Sequence, residues 1–334
     1  MVDVRFADDD DMERWDDIVT RSPQGTPFHR RAALDVMAEH SGTTLHPLVG
    51  YKGQEPVGLL PVFELSKGGL TALFSPPPRL KVSYQGPVLV NLEKLKRRKR
   101  EGRTTRFVDG CLETLEEDLS PNYTHVRCGS RYIDTRAFAW NGFDVRSRYT
   151  YVVDLTPGPD ALIDEFSSDA RRNVRNGHDD RYEISEGGAE TVERIVEQVR
   201  ARHEAQDEPY PVSTAFVTDL WRALPEGTVR PYACTVDGEF AGGMITLESG
   251  DTVYRWQGGA KPESDLPVND LVDWRIIRDA AERGLTRYDL VGANERSISR
   301  YKAKFAPHLE PYAEMESGTL LMRAARRLAT TVRR

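Results

Sequence analysis

The stretch PLVGYKGQEPVGLL at residues 47–60 is repeated in outline as PYACTVDGEFAGGM at residues 231–244, without a gap and at an offset of 184 residues. In each stretch an apolar run is followed by a polar turn containing glycine and then by a second apolar run, which predicts a β-hairpin. The segments before them, residues 32–40 and 216–224, carry apolar side chains at helical spacing and match at the same offset. The sequence therefore predicts a duplicated helix–hairpin unit, with coincidence as the alternative because such units are common.

The rest of the second half mixes strand and helix patterns in an irregular order. Strands are predicted at residues 149–154, 229–236, 240–248, 252–257, 287–291 and 311–317, and helices at 159–177, 192–206, 216–224 and 269–283. This order predicts an α/β fold with a mixed (α+β) sheet rather than a regular βαβ repeat. The segment 142–148 is the expected junction, which gives an N-terminal domain at residues 1–147 and a C-terminal domain at residues 148–334.

Composition predicts a folded, cytoplasmic protein. Hydrophobic residues make up 39% of the chain, which is enough to build ordinary cores. No apolar run approaches the roughly 18–20 residues that a membrane span needs, and the N-terminus lacks a secretory pattern. The three cysteines are expected to be reduced, and the seven histidines show no metal-ligand spacing. The net charge of −7 argues against binding DNA through a positive surface.

Three short motifs follow one another in the second half. RYTYVVDL at 148–155 precedes ARRNVR at 170–175, WRII at 274–277 precedes YDLVG at 288–292, and ISRYKAKF occupies 298–305. Together they resemble the FemAB-like and BioF2-like acetyltransferase group of the GNAT (acyl-CoA N-acyltransferase) superfamily. That group has R-R-x-[IV]-R, W-x-x-I…Y-D-F-G-G and F-K-x-x-F elements in this order. The resemblance covers about residues 148–306 closely and the first half only in outline.

The resemblance implies two tandem GNAT-like domains, of which the first is degenerate and the second catalytic. It implies an N-acyltransferase with no tightly bound cofactor, whose donor is an acyl-CoA such as acetyl-CoA or an aminoacyl-tRNA. The acceptor would be an amine of a small molecule or of a lipid- or nucleotide-linked cell-envelope or polysaccharide precursor, which could involve peripheral contact with a membrane. The helical-hairpin insertion of the tRNA-using enzymes is not visible, so a thioester donor is at least as well supported. The sequence departs from the family pattern at Val291, Tyr301 and Pro307.

Lys302 is the first candidate for the chemistry. Acyl transfer to an amine forms an oxyanion, which a compact ammonium can stabilise, and the resemblance implies a role in transfer for Lys302. The alternative is a solvated lysine in a basic stretch. Asp289, at the end of a predicted strand, is a candidate base or orienting group, or else a carboxylate that caps the next turn or pairs with Arg287. Tyr301 could bind substrate or donate a proton, or it is a packed aromatic residue.

Two regions are candidates for donor binding. Arg171, Arg172 and Arg175 lie on one predicted helix, where guanidinium groups suit a pyrophosphate or simply favour a helix C-terminus. The glycine-rich stretch QGGA at 257–260 follows a predicted strand and could offer backbone N–H groups to phosphate, or form a plain loop. The predicted binding residues outside the arginine trio are Trp256, Gly258, Gly259, Asn269 as a helix N-cap, and Lys304.

Two other functional classes stay open. The duplicated fold could be a non-catalytic binding protein that recognises an envelope precursor or a partner. The basic run KLKRRKREGRTTR at 94–106 could contact an anionic polymer, a nucleotide-linked sugar or a membrane surface, or be a solvated loop and helix start. Nucleic-acid binding through this run is the third alternative, and the net acidity disfavours it.

Overall fold

The structure is a computed structural model that describes residues 1–175, 181–259 and 265–318. The chain forms two compact units, one made of Met1–Arg148 with residues 311–318 and the other of Tyr149–Glu310. The sequence predicted instead that all residues after 147 belong to the second domain. The difference arises because residues 313–318 pair antiparallel with residues 123–128, far away in the chain.

The first unit is a largely antiparallel sheet with helices packed against it. Its strands follow the order β1-β2-β3-β4-β6, with β5 paired to β3, and only the β4–β6 pair is parallel. Residues 144–148 of β7 also belong to this unit. Its elements are β1 (Asp3–Phe6), α1 (Asp9–Arg21), α2 (Arg31–Ser41), β2 (Thr44–Lys52), β3 (Glu55–Lys67), β4 (Leu70–Ser75), β5 (Val88–Leu89), α3 (Arg97–Leu119), β6 (Tyr123–Cys128), α4 (Arg136–Trp140) and β7 (Asp144–Asp154).

The second unit has the same kind of sheet, with the order β7-β12-β11-β10-β9-β8, in which only the β11–β12 pair is parallel. Its helices and strands come from residues 149–310, apart from the shared ends of β7 and β13. The elements are α5 (Pro159–Glu165), α6 (Ser168–Arg175), β8 (Tyr182–Glu186), α7 (Ala189–Glu204), α8 (Thr214–Ala223), β9 (Val229–Val236), β10 (Glu239–Ser249), β11 (Thr252–Gly258), α9 (Val268–Glu282), β12 (Arg287–Asp289), α10 (Arg296–Lys302) and β13 (His308–Gly318).

The two predicted hairpins have the same register. In β2–β3, Gly50 lies opposite Gly58, and in β9–β10, Cys234 lies opposite Gly242. Both ladders shift by one residue immediately after this pair, so that Val57 and Ala241 are the extra residues of equivalent β-bulges. A shared bulge at an offset of 184 residues agrees with the duplication, because a bulge is a specific local feature that families retain.

Each unit has its own apolar core. The first core includes Phe107 and Val108 of α3, Phe138 of α4 and the strand residues Val126 and Met315. The second core includes Phe166, Tyr232, Ile276, Tyr288 and Phe305. Separate cores are what two independently packed GNAT-like domains require.

The predicted helix at 159–177 is two helices in the structure, with residues 176–177 outside the described part. The chain breaks at Phe166, whose extended backbone inserts its ring between Trp274 and Phe305 at centroid distances of 5.7 and 5.4 Å. Ser167 immediately precedes α6, and its Oγ accepts from the backbone N–H of Ala170 at 3.4 Å. The free energy gained by burying this aromatic ring is larger here than that of continuing the helix.

The other predicted strands and helices of the second half occur within β7, β9 to β13 and α7 to α9, and Gly284 has the left-handed φ of +81° expected at a helix end. The sequence missed β8 and α10. Asn269 is the second residue of α9, so its predicted N-cap position is wrong; Pro267 precedes the helix instead. No helix among the described residues is long and apolar enough to cross a membrane.

Candidate active site

Lys302, the last residue of α10, is buried with only 5% of its surface exposed. Its Nζ donates to the carbonyl oxygen of Val291 at 2.7 Å and to that of Gly292 at 2.9 Å. Two consecutive carbonyl oxygens therefore face one amine. Since an ammonium has three N–H groups, one donor remains for a ligand.

The turn that supplies these carbonyls is held by Asp289 and Thr150. Asp289 Oδ1 accepts from the Thr150 hydroxyl at 2.6 Å and from the Val291 N–H at 2.7 Å, and Thr150 Oγ1 accepts from the Gly292 N–H at 2.9 Å. Val291 and Gly292 have φ angles of +53° and +87°. These bonds impose a left-handed turn, which aims both carbonyl oxygens at Lys302.

The left-handed φ of Val291 explains why the family pattern has glycine at this position, from which this sequence departs. A β-branched residue in this conformation is strained by about 1–2 kcal/mol. Glycine would remove the strain, but part of the gain would be lost because glycine has a larger conformational entropy in the unfolded state. We therefore expect Val291→Gly to raise the free energy of unfolding by roughly 0.5–1 kcal/mol in a denaturant titration. Val236→Gly, in the ordinary strand β9, is the matched control and should lower it. Equal losses in both variants would contradict the strain at Val291.

Asp273 on α9 is the most enclosed carboxylate of this region, at 1% exposure. It accepts hydrogen bonds from Arg255 Nε at 2.9 Å, from the Tyr288 hydroxyl at 2.6 Å and from the Tyr301 hydroxyl at 2.8 Å. Burial alone would lower the pKa of Arg255, but the Asp273 charge more than offsets that and raises it. Asp273 thus joins β11, β12 and α10 at the base of the Lys302 site.

Tyr301 belongs to the same hydrogen-bond network. Its hydroxyl donates to a buried carboxylate, and burial together with the Asp273 charge raises the pKa of Tyr301 well above its usual value. Its ring packs at 5.7 Å from that of Phe305. A proton-donor role for Tyr301 stays a prediction, and its contacts are those of a positioning residue.

Lys304 has a different environment from Lys302. Its Nζ binds both oxygens of the buried Asp270 at 3.0 and 2.7 Å and lies 5.1 Å from the centre of the Tyr301 ring. Asn173 of α6 donates to the same carboxylate at 2.6 Å. Asp270 and Asp273, three residues apart on α9, therefore hold the segment around Lys302 from one side.

The charges around Lys302 change its ionisation and that of Asp289. Burial, and next the nearby Arg255 charge, lower the pKa of Lys302 to about 7, against the opposing effect of Asp289 and Asp273. Burial raises the pKa of Asp289 to about 6, although the bonds from Thr150 and Val291 favour its charged form. Both groups therefore change charge close to neutral pH, which is common for catalytic residues.

The predicted arginine trio does not converge. Arg171 donates to the Phe166 carbonyl at 3.1 Å, and Arg175 pairs with Asp164 at 2.5 Å on the surface. Arg172 is exposed. Arg171 and Arg175 thus have separate partners among the described residues, and the binding of donor phosphate by the trio stays a prediction.

The glycine pair at the end of β11 has a packing role. A Cβ on Gly258 would lie 2.3 Å from the Gly243 oxygen, and one on Gly259 would lie 2.1 Å from the Arg202 guanidinium. The Gly259 N–H already donates to the Gly243 carbonyl at 3.1 Å. Ala260 lies outside the described residues, and Trp256 packs against Phe216 with centroids 5.9 Å apart. Donor binding by Trp256 and the glycines remains a prediction.

Arg202 of α7 is a cation that sequence reasoning missed. It has no hydrogen bond or ion pair within residues 1–175, 181–259 and 265–318. Burial, and next the Arg255 charge, lower its pKa. Its signal in the sequence is weak, because an arginine in the last turn of a helix is normally explained by the helix dipole.

Residues 165–303 match the acetyltransferase (GNAT) domain family. Structures of similar fold include FemX (11% identity, TM-score 0.72, covering 93% of this chain and 96% of that one). The fold of this chain is therefore similar to that of FemX, and its residues 165–303 form a GNAT domain. The chain is also similar to the C-terminal domain of a putative lysylphosphatidylglycerol synthetase from Agrobacterium fabrum (14% identity, TM-score 0.60, 97% and 96% covered). A third similar structure is a tandem GNAT protein from the clavulanic acid biosynthesis pathway (14% identity, TM-score 0.51, 95% and 98% covered).

No curated protein matches the sequence of this chain. The solved structures share its acyltransferase fold at identities too low to transfer a substrate. The matched GNAT segment contains Lys302, Asp289 and Asp273, whereas Thr150 and Lys304 lie outside it. Among the described residues, no group of three or more His, Cys, Asp or Glu side chains is arranged to hold a metal ion.

Proposed function

We propose that this protein is an N-acyltransferase that moves an acyl or aminoacyl group onto an amine, with Lys302 as the group that stabilises the transition state. The observation that carries the proposal is the buried Lys302 amine, held by two backbone carbonyl oxygens inside a GNAT domain. Keeping a lysine out of water without a carboxylate bonded to it is unfavourable, which supports a functional reason for its position.

In the proposed reaction, the acceptor amine attacks the acyl carbon and forms the new C–N bond. The carbonyl oxygen becomes an oxyanion, to which the third N–H of the Lys302 ammonium donates. The bond from the acyl carbon to sulfur or oxygen then breaks, and the leaving thiolate or hydroxyl oxygen takes up a proton. Such a donor in a water-poor site typically contributes about 3–4 kcal/mol to lowering the barrier.

Asp289 is proposed to act on the proton of the attacking amine. Its Oδ1 is used by Thr150 and Val291, whereas Oδ2 has no hydrogen bond from the described residues. A carboxylate with a pKa of about 6 is ionised at neutral pH and is a competent base there. Its bond to the Val291 N–H also keeps the turn beside Lys302 in place. Asp289 would therefore both hold this turn and accept the proton of the attacking amine.

The donor is proposed to be a thioester, and an aminoacyl-tRNA is the alternative donor. Both carry phosphate groups, and the unpaired guanidinium of Arg202 beside Gly259 supports binding of an anion there. The acceptor class is an amine of a small molecule or of an envelope or polysaccharide precursor, as proteins of this fold include FemX.

The deciding experiment incubates the full chain with acetyl-CoA or longer acyl-CoA thioesters and an amine panel, and follows release of free thiol and acylated amine. Parallel reactions use radiolabelled aminoacyl-tRNA. We expect transfer from one donor class and tighter donor binding than in Arg202→Ala. Binding of an amine-bearing precursor with no transfer from any donor would instead identify a non-catalytic binding protein.

A further inference from the structure

The first turn of α3 carries a dense group of exposed cations. Lys94, Lys96 and the four residues 97–100 are all exposed, and Arg106 adds another positive charge two turns later. Arg97 pairs with Glu101 at 2.9 Å, and no ion pair is recorded for the other cations of 94–100 within the described part of the chain. In a protein of net charge −7, this is a strongly localised positive surface.

Helix stability does not explain these cations. The N-cap position is Lys96, which makes no side-chain cap, and the first turn contains no acidic residue. Positive charges next to the positive end of a helix dipole are unfavourable, as is the lack of a capping side chain. The sequence thus keeps an arrangement that weakens the start of α3, which points to a role in binding.

An exposed apolar surface lies beside the cations. Ile133 is 87% exposed and Trp140 is 64% exposed, although Ala137 and Phe138 of the same segment are buried in the core. Arg136 lies over the Trp140 ring at 5.6 Å. Large side chains that remain this exposed next to a buried core mark an interaction surface rather than packing.

Two contacts tie this apolar segment to α3. Glu101 forms ion pairs with Arg97 at 2.9 Å and with Arg136 at 3.4 Å. The start of α4 therefore lies next to the basic start of α3. Asn141 donates to Asp109 at 2.7 Å, two turns further along α3. Residues 101 and 109 are separated by about 12 Å along the helix, so cations, Ile133 and Trp140 share one side of the first unit.

We propose that this α3–α4 surface, consisting of residues 94–100, Arg106, Ile133, Arg136 and Trp140, binds the surface of an anionic lipid bilayer. Clusters of four to eight Lys and Arg residues attract anionic headgroups, and tryptophan prefers the membrane–water interface. Ile133 would enter the boundary between headgroups and acyl chains. A nucleic acid would use the cations and Trp140, but an exposed aliphatic side chain adds nothing to its recognition.

The test is sedimentation of the full chain with vesicles of equal parts phosphatidylglycerol and phosphatidylcholine, against pure phosphatidylcholine vesicles. We expect binding to the anionic vesicles only, decreasing with salt. Reversing Arg98, Lys99 and Arg100 to glutamate should weaken it at least about tenfold, since each cation contributes roughly 1 kcal/mol. Trp140→Ala should weaken it several-fold, measured in the same way.

Matched controls keep the proposal falsifiable. Reversing the exposed Arg21, Arg31 and Arg278 changes the net charge equally and should leave binding unchanged, as should Leu70→Ala at an exposed leucine elsewhere. Equal loss in these controls, no vesicle binding, or binding to tRNA without vesicle binding would overturn the proposal. No acyl transfer is measured, so the result is independent of the proposed function.

Discussion

Lys302→Met is expected to lower the rate of acyl transfer by roughly two to three orders of magnitude while the protein stays folded. Methionine fills the space of the lysine stem but provides no N–H for the oxyanion. The free energy of unfolding should not fall at neutral pH. Burial lowers the folded-state pKa of Lys302 to about 7, so holding its proton there opposes folding, and the variant removes that cost.

The matched control is Lys304→Met, two residues away. Lys304 binds both oxygens of the buried Asp270, so its loss should destabilise the protein more than Lys302→Met does. Its rate per folded molecule should change far less than that of the Lys302 variant. If the two variants lose activity equally, or if activity follows stability in both, Lys302 has no special role in transfer.

The pH dependence of the same pair separates two roles for Lys302. The ammonium is fully present below about pH 7 and is lost as the pH rises through that value. The ratio of wild-type to Lys302→Met rates should therefore be largest below about pH 7 and shrink above it. Because both proteins act on the same acceptor, the effect of the acceptor amine's ionisation cancels in this ratio. A ratio that grows with pH would identify the neutral amine as a base instead.

Asp273→Asn is expected to lower the free energy of unfolding by roughly 3–5 kcal/mol. The substitution keeps the shape of the side chain but removes the charge that faces the buried Arg255. The Arg255 side chain is only 15% exposed, so water can replace its lost partner only in part and most of the penalty of an unpaired charge remains. Chemical denaturation followed by circular dichroism measures the difference.

Asp279→Asn, on the same helix, is the control for this loss. Asp279 pairs with Arg275, whose side chain is 43% exposed, and such a surface pair contributes about 0–1 kcal/mol. The two variants change the same residue type and the same charge. Equal destabilisation of both variants would contradict the role of Asp273 as the centre of the network that joins Arg255, Tyr288 and Tyr301.

Local sequence patterns were enough to predict the hairpins and most helices. Alternation of apolar residues about a glycine turn specifies a hairpin wherever it occurs, and the 184-residue offset is visible because both hairpins obey the same rule. Lys302, Asp289 and Tyr301 were predicted as site residues from motifs that are short and contiguous, and their roles stay predictions. The family match at residues 165–303 and the FemX-like fold agree with the family resemblance of those motifs.

What the sequence by itself determined is therefore the duplicated hairpin unit, the α/β class and the segment that carries Lys302. Only the tertiary structure decided how that lysine is enclosed, because Thr150, which helps to hold its turn, is distant in the chain. Thr150 reaches Asp289 across 139 residues, and the last strand pairs with β6 across a still longer separation. Asp270 and Asp273 look like ordinary helix-surface carboxylates in the sequence, and burial alone, which no local pattern specifies, makes them the supports of the site.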